Sequence, residues 1–310
     1  MTTTPPNPAD IEDLQTLRDW LRYAISSFSA AELVYGHGTE TALDEAAFII
    51  LSALHLPIDQ LEPWLDARLT RAERAKVADL IGQRVSTRKP APYLVNAAWI
   101  RGQKFYVDER VIVPRSYIGE LLDEGLTAVV GDRESVESAL DLCTGSGCLA
   151  VLTALAFPNA AVDAVDISSD ALEVAKRNVA DYALKDRVTL LKSDLFAGLE
   201  DRTYDLIISN PPYVTQAAVD AFPPEYGAEP QLAHLGGEDG MDLVRRILAE
   251  AAVHLNPEGM LIVEVGMGRE TLETEYPDLP FLWLDTEQSE GEVFALPASA
   301  LRPQKGRERP

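Results

Sequence analysis

Between Asp10 and about Arg88 apolar residues recur at helical spacing in three stretches, IEDLQTLRDWLRYAISSF, TETALDEAAFIILSALHL and TRAERAKVADLIGQRVSTR. Each predicts an amphipathic helix, and together they predict a small N-terminal helical domain over residues 1–93. The second helix is expected to take Thr39 as its N-cap. Ala42 stands where an acid would complete a capping box. YGHGT, residues 35–39, reads as a glycine turn with a structural histidine, His37. KPAPYL stops the pattern. Residues 94–114 then hold two β-prone segments, NAAWI and FYVDERVIVP, on either side of RGQK, which predicts a hairpin linker.

From residue 115 to 310 the pattern changes. A helix is predicted over SYIGELLDEGLTAVV, after which strand-like and helix-like stretches alternate: ALDLC, GCLAVLTALAF, VDAVDIS, DALEVAKRNVADYAL, VTLLKSD, YDLIIS, MDLVRRILAEAAVHL and GMLIVEVG. That alternation predicts a parallel sheet with helices on both faces. FLWLD and GEVFALP are joined by a polar stretch too short for a helical crossover, so they are expected to pair antiparallel. The fold class is therefore α/β, a mostly parallel, seven-stranded, Rossmann-like sheet with an antiparallel edge strand. The tail RPQKGRERP reads as disordered.

Composition narrows the setting. A chain of 310 residues with 46% hydrophobic and 25% charged residues matches a soluble globular protein with room for a second, smaller domain. The N-terminus lacks a basic region followed by an apolar core. The longest apolar run, AAFIILSALHLPI, is too short to span a bilayer, so a cytoplasmic protein without membrane contact is expected. Two cysteines, Cys143 and Cys148, and four histidines make no metal-ligand pattern, and no metal is expected. The net charge of −23 opposes binding to a free nucleic acid and suits a basic partner.

Chemistry concentrates at two loops. In SNPPYV, residues 209–214, Pro211 and Pro212 cannot extend the preceding strand and make a stiff turn at its carboxyl end, where open α/β sheets bind ligands. DLCTGSGCLA joins a strand to a helix through Gly145 and Gly147, which lets the backbone approach a ligand at a helix N-terminus. With Asp166 about twenty residues further on, placed to bind ribose hydroxyls, a dinucleotide site fits this half equally well. Asp141 ahead of the glycines would face pyrophosphate in that case, but suits the cationic amino-acid end of another ligand. Asp194, in KSDLF, offers a carboxylate to an adenine amino group or caps a helix. Ribose, adenine and a cationic amino acid together describe S-adenosylmethionine.

DLCTGSG, Asp166, SDLF and NPPYV in this order resemble the class I methyltransferases, and YDLIISNPPYV is similar to the N(5)-glutamine methyltransferases. The resemblance covers residues 93–297 and includes VPRSYIGELLDEGL ahead of the first strand. It implies cofactor binding by Asp141, Thr144, Gly145, Gly147, Asp166, Ile167, Asp194, Leu195 and Asn210, and catalysis by Asn210, Pro211, Pro212 and Tyr213. CTGSGC and YGHGT are similar to the branch acting on large-subunit ribosomal protein L three rather than on peptide release factors. The turn would work by letting the Asn210 side-chain oxygen and the Pro211 carbonyl accept both hydrogens of the acceptor amide, with Tyr213 as a flat surface beneath it. The same geometry suits the exocyclic amine of adenine; charge favours a protein. A nicotinamide oxidoreductase and a non-catalytic ribosome-binding factor are the rivals from other classes. Glu264 is left without a role. The glycines of PPEYGAEPQLAHLGGEDG either let that loop close over the acceptor or shape a static one.

Overall fold

A computed structural model describes residues 11–302, which form two compact units. The first takes in the chain up to Ala98, Val107–Glu109 and Phe222–Ala228; the second is Trp99–Tyr106, Arg110–Ala221 and the chain from Glu229 on. Apart from Arg302, the tail read as disordered lies outside the described residues.

The first unit holds helices α1 (Leu17–Ala30), α2 (Ala42–Leu54), α3 (Arg71–Thr87) and the short α4 (Ala91–Val95). Thr16 with Asp19 and Thr70 with Glu73 close capping boxes at the starts of α1 and α3. The cap of α2 is Thr41 rather than Thr39: the Thr41 hydroxyl oxygen accepts the Asp44 amide at 3.2 Å, and the Thr39 hydroxyl donates to Glu45 at 3.2 Å. Trp20, Ala24 and Phe28 of α1 pack with Ala46, Ile49 and Ile50 of α2 in one apolar core. An ionic cluster lies inside the unit. Arg84 Nε donates to Glu45 at 2.6 Å and Nη2 to the Val34 carbonyl at 3.0 Å. Glu225, from the Phe222–Ala228 segment, meets Arg88 at 2.6 Å and accepts the Val34 amide at 3.0 Å. His37 is buried with its ring 4.4 Å from that of Tyr226.

The hairpin is shorter than expected. Strands β1 (Ala98–Ile100) and β2 (Gln103–Phe105) are joined by Arg101 and Gly102, whose φ values of 48° and 74° suit the two left-handed positions of a tight hairpin turn. ERVIVP is no strand. Val111 and Val113 are buried in alternation, which imitates one, but the Val113 amide donates to the Glu229 carboxylate at 2.9 Å instead of to a ladder. The following helix, α5 (Ile118–Asp123), is also shorter than expected, with left-handed Gly125 and Leu126 just beyond it.

The second unit is built on β3 (Ser138–Leu142), β4 (Ala161–Asp166), β5 (Val188–Lys192), β6 (Tyr204–Ser209), β7 (Leu255–Glu264), β8 (Leu282–Leu284) and β9 (Val293–Pro297), in the order β5-β4-β3-β6-β7-β9-β8. The first five pair in parallel, and β9 runs antiparallel to both its neighbours. The polar link to β9 does impose antiparallel pairing, but β9 inserts between β7 and β8. The reversed strand thus sits one place in from the edge, and the edge is taken by β8, only three residues long, as suits an edge. Strand residues alternate between two cores. Ala139, Leu206 and Ile208 face the one packed by α6 (Cys148–Ala156); Leu140, Leu142 and Ile207 face the one packed by α9 (Asp242–His254). Between them in sequence come α7 (Ser169–Asp181) and α8 (Gln216–Asp220). No helix among the described residues is long and apolar enough to cross a membrane. From β3 the strand order runs both ways, so the topological switch point lies between β3 and β6, where such sheets open a crevice.

Candidate active site

At the carboxyl end of β3 the chain turns through Cys143, Gly145 and Gly147, all left-handed, at φ of 59°, 55° and 77°. The two glycines have different reasons. A Cβ on Gly147 would lie 2.9 Å from the Cβ of Ala175, so this glycine lets α6 pack closely on α7; one on Gly145 would meet nothing. Gly145 lines a cavity of about 240 Å³ together with Cys143, Asp166, Ile167, Asp194, Leu195, Asn210 and Pro212. Leu195 is also left-handed, at φ 52°. Strained non-glycine residues thus border the cavity on two loops.

Asp141 and Thr144 do not line the cavity. Asp141 is fully buried; the Thr144 hydroxyl donates to its Oδ2 at 2.5 Å, and its Oδ1 has no hydrogen-bond partner. Burial pushes its pKa up to about 7, against the Thr144 hydroxyl and the Ala150 amide. Asp166 ties the glycine loop to the next strand: Oδ2 accepts the Gly145 amide at 2.9 Å and Oδ1 the Ser168 amide at 2.8 Å. Burial raises its pKa while those amides pull it down. Asp194 is half exposed and pairs with Arg246 at 3.0 Å.

The second wall is the N-P-P-Y turn. Asn210 and Pro212 line the cavity, Pro211 is buried, and among the described residues no hydrogen bond reaches the Asn210 carboxamide or the Pro211 carbonyl. Tyr213 does not line the cavity. Its hydroxyl donates to Glu264 Oε1 at 2.9 Å, and its ring lies on Gly266, where a Cβ would come 2.8 Å from Cε2. Behind the turn, the Val214 amide donates to the His234 carbonyl and the Gly236 amide to the Val214 carbonyl, each at 2.9 Å. A Cβ on Gly236 would lie 2.6 Å from the Pro212 carbonyl oxygen, and one on Gly240 would collide with that of Tyr213. The glycines of this loop serve close backbone packing against the turn.

Sequence reasoning missed several wall residues. Pro230 and Leu232 come from the loop after the turn, and Arg246 from α9, where its charge reads as an ordinary solvated face. The loop segment is pinned by Glu229, fully buried, whose carboxylate takes both Arg115 Nη atoms at 2.9 and 2.8 Å.

A doubly wound sheet of this order, with a glycine loop and an N-P-P-Y turn flanking its switch point, is that of a class I methyltransferase, and the profile of the Methyltransferase small domain family matches residues 120–222. The chain is 57% identical to the ribosomal protein uL3 glutamine methyltransferase of Bordetella pertussis over 92% of its length and 96% of that protein's. Against the proteins of the same name from Bradyrhizobium diazoefficiens and Neisseria meningitidis the identities are 57% and 53%, over 93% and 92% of this chain and 92% and 94% of theirs. The chain belongs to the family of ribosomal protein uL3 glutamine methyltransferases.

Proposed function

We propose that this chain moves a methyl group from S-adenosylmethionine to the side-chain amide of a glutamine in ribosomal protein uL3. The observation that carries it is the pair of free acceptors, the Asn210 carboxamide and the Pro211 carbonyl, on a stiff turn beside the cavity. The cavity's donor set fits the cofactor. Asp166 lines the cavity without a salt-bridge partner among the described residues, which suits ribose hydroxyls, with Arg110 and Arg246 in the same wall, and Asp141 holds an orphaned, buried oxygen behind the glycine loop. Gly145, Asp166, Ile167, Asp194 and Leu195 would hold the nucleoside, with Asp141 and Thr144 bracing the loop from beneath. When bound, the cofactor supplies an electrophilic methyl group.

The difficulty lies in the nucleophile, because an amide lone pair is delocalised into its carbonyl. Asn210 Oδ1 and the Pro211 carbonyl each accept one hydrogen of the acceptor NH₂, which fixes the nitrogen and aims its lone pair. Pro212 locks φ and holds that carbonyl still. No strong base is required, since the nitrogen becomes acidic on alkylation. The relatives' names support uL3 as acceptor, and a net charge of −23 suits a basic ribosomal protein in the cytoplasm. The helical unit carries none of the transfer residues and is assigned to recognising the acceptor.

The test is to incubate enzyme and labelled cofactor with hypomethylated uL3, with release factor and with RNA across a salt series, and to locate the label by mass spectrometry. Label on a uL3 glutamine is expected, with association slowing as salt shortens the screening length to about 10 Å at 0.1 M. Preferential labelling of release factor or of nucleic acid would overturn the acceptor.

A further inference from the structure

Glu264 stands at the end of β7, in a run of buried apolar residues: Leu261, Ile262, Val263 and Val265 are all fully covered. A carboxyl group here is expensive to bury, and an apolar side chain would serve packing better. Its contacts account for it. Oε2 accepts the Ser116 hydroxyl at 2.6 Å and the Tyr117 amide at 2.9 Å, and Oε1 accepts the Tyr213 hydroxyl at 2.9 Å. Among the described residues it has no salt-bridge partner. The β6–β7 register sets Ser209 opposite Val263, so Glu264 is level with Asn210, one strand over.

We propose that Glu264 is a positioning residue for methyl transfer, fixing the acceptor turn through Tyr213 while Ser116 and the Tyr117 amide fix Glu264. This rests on the function proposed above. Asn210 hangs between two anchors. On one side is β6, whose Ser209 hydroxyl donates to the Leu142 carbonyl at 3.0 Å across the switch point. On the other is Tyr213, reached through two prolines that transmit its position with little give. Tyr213 is itself held at its ring by Gly266, at its backbone by Gly236 and Gly240, and at its hydroxyl by Glu264. Glu264 does not line the cavity, so it acts on the acceptor only through Tyr213. Alignment is the whole task of the turn, and misplacement by about 1 Å costs on the order of a hundredfold in rate.

The experiment measures kcat, acceptor KM, cofactor affinity by calorimetry and thermal melting for the wild type, Glu264→Gln, Tyr213→Phe and the double variant. Each single change should lower kcat about tenfold and leave acceptor KM and cofactor affinity within about twofold, and the double should fall no more than about twofold below the worse single, because the two act as one unit. Glu264→Gln should melt no lower than the wild type, since it removes a buried charge. Ser116→Ala, which takes one donor from Oε2, should cost about threefold in kcat and serves if the other variants fold poorly. Unchanged kcat, losses that multiply in the double variant, or a kcat loss matched by a fall in melting temperature would overturn the proposal. A wild type that labels some acceptor other than uL3 would overturn the function proposed above, and the same four proteins would then be compared on that acceptor.

Discussion

In the helical unit Glu45 and Glu225 are almost fully buried and each meets an arginine, Arg84 and Arg88; in the catalytic unit Asp141 and Glu264 are as deeply buried and, among the described residues, meet no cation. The first pair are charges paired with cations. Burial still raises the pKa of Glu45, but Arg84 opposes it, and the cluster ties segments distant in sequence into one small unit. Asp141 and Glu264 are held by hydroxyl and amide donors alone, and burial pushes both up to about 7. Glu229 shows that the catalytic unit also neutralises an acid where only a loop must be pinned, through Arg115. A buried acid with its own arginine marks scaffold. Asp141 and Glu264, without one, adjoin the glycine loop and the N-P-P-Y turn.

The largest effect that would break this division is expected from Arg84→Ala. It strands Glu45 in the core and should cost about 3–5 kcal/mol of stability, read from denaturant unfolding, while the protein that remains folded binds cofactor as before. A loss of cofactor affinity would show that the helical cluster is part of the site. Asn210→Ala should do the reverse: about 3 kcal/mol on the barrier, near a hundredfold in kcat, with unchanged melting and cofactor affinity. Normal turnover by that variant would remove the mechanism. The effect sharpest in sign is that of Asp141→Asn. The folded state holds the Asp141 proton up to a pKa of about 7, against 3.8 for an ordinary aspartate, so ionising it costs stability as pH rises from about 4 to 7. The variant escapes that cost. It should be more stable than the wild type by about 4 kcal/mol at pH 8, the gain vanishing below about pH 4, and should bind the cofactor more weakly. A pH-independent difference would mean that Asp141 is ionised throughout.

That the Gly145 loop and the Asn210–Pro212 turn stand at strand ends bordering one cavity was readable in advance, because glycines and prolines record backbone restrictions in contiguous text. The alternation of strands and helices recorded the sheet for the same reason. What stayed hidden depends on pairs that leave no periodic trace. Ser116 and Tyr213 reach Glu264 from 148 and 51 residues away, and Glu225 reaches Val34 across 191. Val111 and Val113 were misleading in the other direction, since alternate burial produces a strand-like pattern even where a side chain takes the backbone hydrogen bond.

The seven residues Phe222–Ala228 belong to the helical unit although they follow the acceptor turn in sequence. The helical unit is therefore not a cassette. Cutting the chain after residue 98 would release a fragment without Glu225, leaving Arg88 and the Val34 amide short of a partner that is fully buried in the intact chain. Recombination with a relative's N-terminal part would join arginines from one parent to a glutamate from the other. Exchanging this unit between such enzymes requires moving its three pieces together, as a split exchange with five junctions rather than one.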